Sequence, residues 1–202
     1  MRPRRVLTTA ASFAEGASAP PFGLSPLPGV QLLKGAFALV YGEPGAGKST
    51  LALQLLNAIG GTVLAYLPEE GDSHAVRARF ARLGIGRPDL HVLARGDLQD
   101  LGEAADQLRP RAVLIDSLSV TSLEPNETRQ LIERHGLRAL FGVLQVNKKG
   151  EMAGLRAWEH EADLGVRVHD SRWSLDKSRF QPRPFPEGEV CFADADTETE
   201  SP

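Results

Sequence analysis

Apolar runs and helical patterns alternate along most of the chain. Five runs rich in Val, Leu, Ile and Ala have the length and composition of buried strands, at residues 36–42, 61–67, 90–93, 111–117 and 137–146. The segments between them are typical of helices, at residues 48–60, 73–85, about 97–108 and 126–136. Strands separated by helices of this length predict an α/β fold with a mainly parallel sheet and helices on both faces. We expect the second helix to carry its arginines on its outer face.

The two ends of the chain depart from this pattern. From about residue 164, short alternating runs such as "RWSLDKSRF" predict a C-terminal antiparallel extension of the sheet. Residues 1–28 are rich in Ala, Ser and Pro, which predicts an irregular N-terminal arm. Residues 187–202 end in "DADTETESP" and are predicted to form an acidic, disordered tail. The expected folded core therefore covers residues 29–186.

Length and composition indicate one domain that folds without cross-links. A chain of 202 residues buries roughly 70% of its unfolded surface, and a single cysteine excludes both a disulfide framework and a Cys-rich zinc site. No apolar run approaches the ~18 residues of a membrane span, and no signal-peptide pattern follows the N-terminal arginines. These features favour a cytoplasmic enzyme or binding module without a membrane partner.

The net charge does not decide whether the chain binds nucleic acid. It is −3 for the whole chain, but residues 187–202 hold six carboxylates and no Lys or Arg. The rest of the chain therefore carries +3. A weakly positive core neither supports nor excludes DNA binding.

The stretch "GEPGAGKST" fits the phosphate-binding pattern G-x-x-x-x-G-K-[ST], between a predicted strand and a predicted helix. Glycines let backbone N–H groups converge on phosphate oxygens, and the start of the helix adds partial positive charge. Lys48 is expected to reach the β and γ phosphates of ATP, and the Ser49 hydroxyl to ligate Mg²⁺. The predicted nucleotide-binding residues are Gly42, Glu43, Pro44, Gly45, Ala46, Gly47, Lys48, Ser49 and Thr50.

Carboxylates follow two of the other predicted strands. Asp116 ends the apolar run "AVLID", where a carboxylate that supports Mg²⁺ belongs, although a polar residue at a strand end is also common. Glu69 and Glu70 follow the second strand, at the carboxyl edge of the sheet, where a carboxylate can orient and deprotonate an attacking water. The alternative for this doublet is a solvated turn. Together with the phosphate loop, these acids predict a nucleotide hydrolase or a kinase.

A resemblance to a known family narrows this choice. Five segments carry it in order: "GEPGAGKSTLALQ", "LAYLPEEGDSHAVRARFARLGI", "RAVLIDSLSVTS", "VLQVNKKGEMAGLRAWEHEAD" and "DKSRF". The fourth is the most specific. In it, a strand is followed by a Lys-Gly turn, then by a Gly-bearing loop and by a helix that contains Glu-His and Asp. Its matching positions are Lys148, Gly150, Gly154, Glu159, His160 and Asp163. Across about residues 36–180, the chain resembles the ATPase core of the RadA branch of the RecA-like superfamily, which also includes DnaB-type helicases.

The resemblance implies a RecA-like fold, ATP and Mg²⁺ as ligands, and roles for particular residues. Glu69 resembles the glutamate that activates water, and Gln145 falls at a strand-end sensor of the γ phosphate. Lys177 and Arg179 match the family's KNRFG box and would act as fingers in the ATP site of a neighbouring subunit. Both side chains are predicted to lie on one face of a strand, away from any matching pair of acids. Without the resemblance, the alternative is a solvated strand edge.

Several departures from the family are present in the sequence. Within these 202 residues we expect neither the family's four-cysteine zinc module nor its C-terminal protease-like domain. The sensor histidine is replaced by Gln145, and Ser178 and Gln181 differ from the KNRFG box. Loading onto DNA and the choice of target can therefore differ from the family's.

The expected DNA contact is the loop at residues 147–157. It offers Lys148, Lys149 and Arg156 among small residues, which suits neutralisation of a phosphate backbone without base readout. The alternative is an ordinary connector with surface lysines.

The sequence leaves three functions open. The first is a DNA-dependent motor or a recombination or replication ATPase that binds single-stranded DNA and assembles head to tail as a ring or filament. The second is a KaiC-like module in which ATP controls assembly with protein partners. The third is a small-molecule kinase, which the absence of a lid insertion disfavours.

Overall fold

A computed structural model of the protein describes residues 21–146 and 155–192. Within these residues, the strands are β1 (Phe22–Leu24), β2 (Leu27–Leu32), β3 (Ala36–Gly42), β4 (Val63–Tyr66), β5 (Leu90–Leu93), β6 (Ala112–Ile115), β7 (Ala139–Gln145), β8 (Leu164–His169), β9 (Arg172–Ser178) and β10 (Glu187–Glu189). Eight of them form one sheet in the order β10-β9-β8-β3-β7-β6-β4-β5. The helices are α1 (Lys48–Asn57), α2 (His74–Arg82), α3 (Leu98–Leu108), α4 (Glu127–His135) and α5 (Leu155–Glu161).

The strand directions confirm the predicted fold class. Strands β3 to β8 pair in parallel, and β9 and β10 add antiparallel pairs at one end of the sheet. The antiparallel extension begins one strand later than predicted, since β8 runs parallel to β3. A parallel sheet places the carboxyl ends of β3, β4, β6 and β7 at one edge, which is where ligands bind in open α/β sheets.

Helices cover both faces of the sheet, as the apolar strands predict. Every residue of β3 is buried, because this central strand has neighbours on both sides and apolar layers above and below. One layer contains α1, α2 and the β1–β2 hairpin, and the other contains α3, α4 and α5. Within the described residues, no helix is both long and apolar enough to cross a bilayer.

The boundaries of the predicted arm and tail differ from the structure. Strand β1 and the start of β2 lie inside the segment predicted as an arm, and they form a hairpin whose leucines enter the core. Strand β10 lies inside the segment predicted as a disordered tail, where it pairs with the free edge of β9. The acidic composition hid this strand because its apolar continuation, Val190 to Phe192, is only three residues long. Val190 is buried in the same core layer as α1.

Candidate nucleotide-binding site

The phosphate loop connects the carboxyl end of β3 to the start of α1. Gly47, the residue before the helix, has φ = 104°, a conformation that side chains rarely adopt. A Cβ on Gly47 would also lie 2.7 Å from the ring of Phe192. Only glycine therefore fits at this turn, for reasons of backbone conformation and of space. The loop brings the start of a ten-residue helix, with its unpaired N–H groups, to the edge of the sheet.

Lys48 is the first residue of α1, and it is buried although it is cationic. The residue is 8% exposed, and its Nζ donates a 2.6 Å hydrogen bond to the carbonyl oxygen of Glu43, inside the loop. Burial lowers the pKa of Lys48, while the carboxylates of Asp116 and Glu69 act in the opposite direction. A cation held inside a phosphate-binding loop by one carbonyl and two nearby carboxylates can transfer its hydrogen bonds to an incoming polyphosphate.

Asp116 follows β6 and lies next to the phosphate loop. Burial raises its pKa from 3.8 to about 6, and a hydrogen bond with Ser49 lowers it in part. Ser49 and Asp116 therefore bring a hydroxyl and a carboxylate together, which are the hard oxygen donors that Mg²⁺ prefers. The residues present fit a magnesium ion bound with a nucleotide.

Asp116→Asn is expected to stabilise the protein in the absence of nucleotide and Mg²⁺. Because the pKa of Asp116 in the folded state is higher than in the unfolded state, its ionisation costs stability as the pH rises from 4 to about 6, and the cost is constant above that. At pH 8 it is roughly 3 kcal/mol, which is an upper limit for the gain. Urea unfolding with a chelator at pH 5 and pH 8 measures it. A gain that does not grow between these two pH values would contradict the expectation.

The two glutamates that follow β4 have different partners. The carboxylate of Glu69 accepts a hydrogen bond from the hydroxyl of Ser117, which directly follows Asp116. The carboxylate of Glu70 binds Nη2 of Arg79, at 3.0 Å from each carboxylate oxygen. Arg79 belongs to α2, which was expected to carry its arginines on the outer face. That expectation was wrong for Arg79, because α2 packs Val76 against the sheet and turns Arg79 toward the carboxyl edge.

A cleft of about 340 Å³ brings these groups together. Its walls contain six of the nine predicted loop residues together with Glu69, Asp116 and Gln145, the last residue of β7. Of the other three, Gly42 ends β3, Glu43 accepts the hydrogen bond of Lys48, and Ala46 is buried. Residues of the cleft that sequence reasoning missed are Arg79, Arg82, Ser117, Val143 and Phe192.

The sequence held a partial signal for these missed residues. Arg79 and Arg82 are three residues apart and therefore share one face of a helix, but the spacing does not say which face turns inward. Ser117 adjoins a predicted site residue. Phe192 had no local signal, since its position depends on pairing between β9 and β10 and on a 2.8 Å hydrogen bond from Gln54 to the carbonyl of Cys191.

Lys177 and Arg179 lie at the opposite edge of the sheet from the phosphate loop. Lys177 pairs with Gly165 near the start of β8, and its Nζ donates to the carbonyls of Glu159 and His160, at the end of α5. Arg179 donates a 2.6 Å hydrogen bond to the carbonyl of His160. Both cations therefore bind the negative end of a helix dipole in their own chain.

Arg179 has an acidic partner, Asp163, that was not expected from the sequence. The carboxylate of Asp163 lies 3.3 Å from Arg179 and 2.6 Å from Arg129, and it also accepts a hydrogen bond from the backbone N–H of Phe37. Arg179 is thus paired with an acid, contrary to the prediction. The sequence did not show the pair because Asp163 and Arg179 come together only when β8 and β9 fold back on each other.

The predicted DNA-contacting residues are described only in part. Lys148 and Lys149 lie outside the described residues. Arg156 is the second residue of α5 and is exposed.

Comparison with known proteins agrees with this fold. No protein-family model matches the chain. The DNA repair protein RadA of Bacillus subtilis is 32% identical to it over 163 residues, which is 70% of this chain and 35% of that protein. RadA of Streptococcus pneumoniae is 30% identical over 164 residues, with 70% and 38% covered. RadA of Haemophilus influenzae is 29% identical over 170 residues, with 74% and 37% covered.

A phosphate loop after the central strand of a mainly parallel sheet with an antiparallel extension defines a RecA-like P-loop fold. Within that class, the similarity to RadA proteins over 70% of the chain supports a place in the RadA branch. It spans somewhat more than a third of the length of these curated relatives.

Proposed function

We propose that this chain hydrolyses ATP with Mg²⁺ and couples hydrolysis to single-stranded DNA, as a recombination, repair or replication motor. One observation carries the proposal. A buried lysine, a strand-end aspartate and a glutamate line one cleft beside the phosphate loop, at the edge of the sheet where nucleotides bind. The names of the relatives, all DNA repair proteins, support the DNA part.

The loop residues bind and orient the nucleotide in this proposal. Backbone N–H groups from Gly45 to Thr50 cradle the phosphates, and Lys48 exchanges the carbonyl of Glu43 for phosphate oxygens. Ser49 and Asp116 would hold Mg²⁺, which neutralises phosphate charge when bound. Asp116 binds the ion in its ionised form, so its raised pKa means that protons compete with Mg²⁺ for this carboxylate as the pH falls below about 6.

Glu69 is the proposed general base for the attacking water. Its carboxylate lies in the cleft, and the hydrogen bond from Ser117 holds one of its two oxygens. The other oxygen remains available to accept a proton from water at the γ phosphate. Gln145 ends β7 directly beside Gly42, so it can report the state of the phosphates to the loop at residues 147–157.

Two features support assembly of several copies on DNA. Lys177 and Arg179 lie at the sheet edge opposite to their own cleft, so they can reach a phosphate only in another copy, arranged head to tail as a ring or filament. Arg156 is exposed at the start of α5, where the proposed DNA loop ends. The proposal places the chain in the cytoplasm, where both ATP and DNA are available.

The test measures release of phosphate from ATP with Mg²⁺, with and without single-stranded DNA. The expected result is hydrolysis that DNA stimulates. Lys48→Ala is expected to bind ATP about 10- to 100-fold more weakly, because a charged hydrogen bond is worth roughly 1.5–3 kcal/mol. Hydrolysis that DNA does not change would favour an ATP-controlled assembly module, and a phosphorylated product would favour a kinase. Unchanged ATP affinity in Lys48→Ala would remove the basis of the proposal.

A further inference from the structure

The ion pair between Glu70 and Arg79 lies in the cleft, and neither residue has a role in the proposed reaction. Nη2 of Arg79 lies 3.0 Å from both oxygens of Glu70, and the Arg79 side chain is 18% exposed. Arg79 is also close enough to Asp116 to favour its ionised form. The pair therefore lies beside the proposed magnesium ligand, within reach of a bound polyphosphate.

Charge explains why such a pair would respond to ATP. The cleft is lined by three cationic side chains, Lys48, Arg79 and Arg82, and by three carboxylates, Glu69, Glu70 and Asp116. Without nucleotide these charges balance, and Glu70 neutralises Arg79. The γ phosphate brings additional negative charge and three oxygens. An arginine forms strong paired hydrogen bonds with a carboxylate and with a phosphate.

We infer that Arg79 exchanges Glu70 for the γ phosphate when ATP binds, and so distinguishes ATP from ADP within one chain. The inference rests on the proposed nucleotide-binding function. The γ phosphate is the relevant group because Glu70 follows Glu69, the proposed base, which must lie at that phosphate. The exchange also links the nucleotide to α2, since Arg79 belongs to that helix.

The effects of variants on nucleotide binding distinguish a purely structural ion pair from a partner exchange. If the pair only ties α2 to the end of β4, loss of either partner has the same effect on nucleotide binding. If Arg79 exchanges partners, Glu70 competes with the phosphate. Loss of Arg79 then weakens ATP binding, and loss of Glu70 strengthens it.

The experiment measures affinity for ADP and for an ATP analogue with a non-hydrolysable β–γ bond, by calorimetry with Mg²⁺. Arg79→Gln is expected to weaken binding of the analogue about tenfold or more and binding of ADP less than about threefold. Glu70→Gln is expected to strengthen binding of the analogue about two- to fivefold, with little change for ADP, because it removes one competing negative charge.

An ion pair between Arg77 of the same helix and Asp72, which precedes that helix, provides the control. Arg77 binds Asp72 at 2.8 Å, but these side chains are 71% and 48% exposed and do not line the cleft. Arg77→Gln and Asp72→Asn should leave both affinities within about twofold of the wild-type values.

The possible outcomes separate this inference from the proposed function. Equal weakening of ADP and analogue binding in Arg79→Gln, or weaker analogue binding in Glu70→Gln, would overturn the inference alone. Failure of the wild-type protein to bind either nucleotide would overturn the proposed function as well. Urea unfolding shows whether each variant is folded. If Arg79→Gln does not fold, the analogue affinity of Glu70→Gln decides the matter. Stronger binding supports the partner exchange, and weaker binding overturns it.

Discussion

Arg179→Ala is expected to bind ATP but to turn it over about 10³- to 10⁵-fold more slowly than the wild type. An arginine supplied to a neighbouring site stabilises charge in the transition state by an amount of this size. In its own chain, Arg179 binds the end of α5 and Asp163, at the sheet edge opposite to the phosphate loop. Steady-state phosphate release and nucleotide affinity, measured on the same preparation, separate loss of turnover from loss of binding.

Arg129→Gln is the matched control for a structural effect of Arg179. Arg129 binds the same carboxylate of Asp163 at 2.6 Å, from α4. Both variants are therefore expected to lose stability, since each removes a partner from a buried acid. Only Arg179→Ala should lose turnover. Similar turnover in the two variants would assign Arg179 a purely structural role.

A mixing experiment shows whether the site is shared between subunits. An Arg179→Ala subunit keeps its own Glu69, and a Glu69→Gln neighbour still offers Arg179, so that junction is complete. If subunits exchange at random in an equal mixture, about a quarter of the junctions are of this kind. Mixing the two inactive proteins should therefore restore measurable hydrolysis. If a tagged-subunit pulldown proves exchange and activity stays absent, Arg179 does not act on a neighbour.

Glu69→Gln is expected to bind ATP normally and to hydrolyse it about 10²- to 10⁴-fold more slowly, which is the usual contribution of a general base. The amide keeps the shape of the carboxylate and can still accept the hydrogen bond from Ser117, but it cannot take a proton. Single-turnover hydrolysis and nucleotide affinity test the two parts of this expectation.

Glu103→Gln is the control for Glu69→Gln. Glu103 is exposed on α3, where its carboxylate accepts a hydrogen bond from the side chain of Gln99. The same chemical change at this position should leave hydrolysis unchanged. Normal turnover in Glu69→Gln would remove this residue from the reaction. Loss of nucleotide binding would instead assign it to the binding of the phosphates.

Strands β3 to β7, helices α1 to α4 and the phosphate loop could be predicted because their signals are local. Strand β3 ends at Gly42 in both the prediction and the structure, since a fully apolar run followed by glycines has no other good conformation in a buried sheet. The predicted bounds of β5 and the predicted start of α1 at Lys48 also agree with the structure. The proximity of Glu69 and Asp116 to the loop also follows from sequence, because parallel strands end at a common edge.

The exact orientation of helices and the pairing of distant segments could not be predicted. Helix α2 shows arginines on one face, but only packing of Val76 on the sheet turns Arg79 into the cleft. Likewise, the acidic composition after residue 186 masked a strand, which forms because β9 has an unpaired edge to offer.

The sequence by itself determined the phosphate loop, the acids at the strand ends and the parallel direction of strands β3 to β7, since each depends on short patterns along the chain. Only the tertiary structure decided that Arg79 binds Glu70 inside the cleft, that Phe192 lies against Gly47, and that Lys177 and Arg179 bind the end of α5. These contacts join residues from different strands and helices. Their formation depends on the packing of whole elements, which no short pattern in the sequence contains.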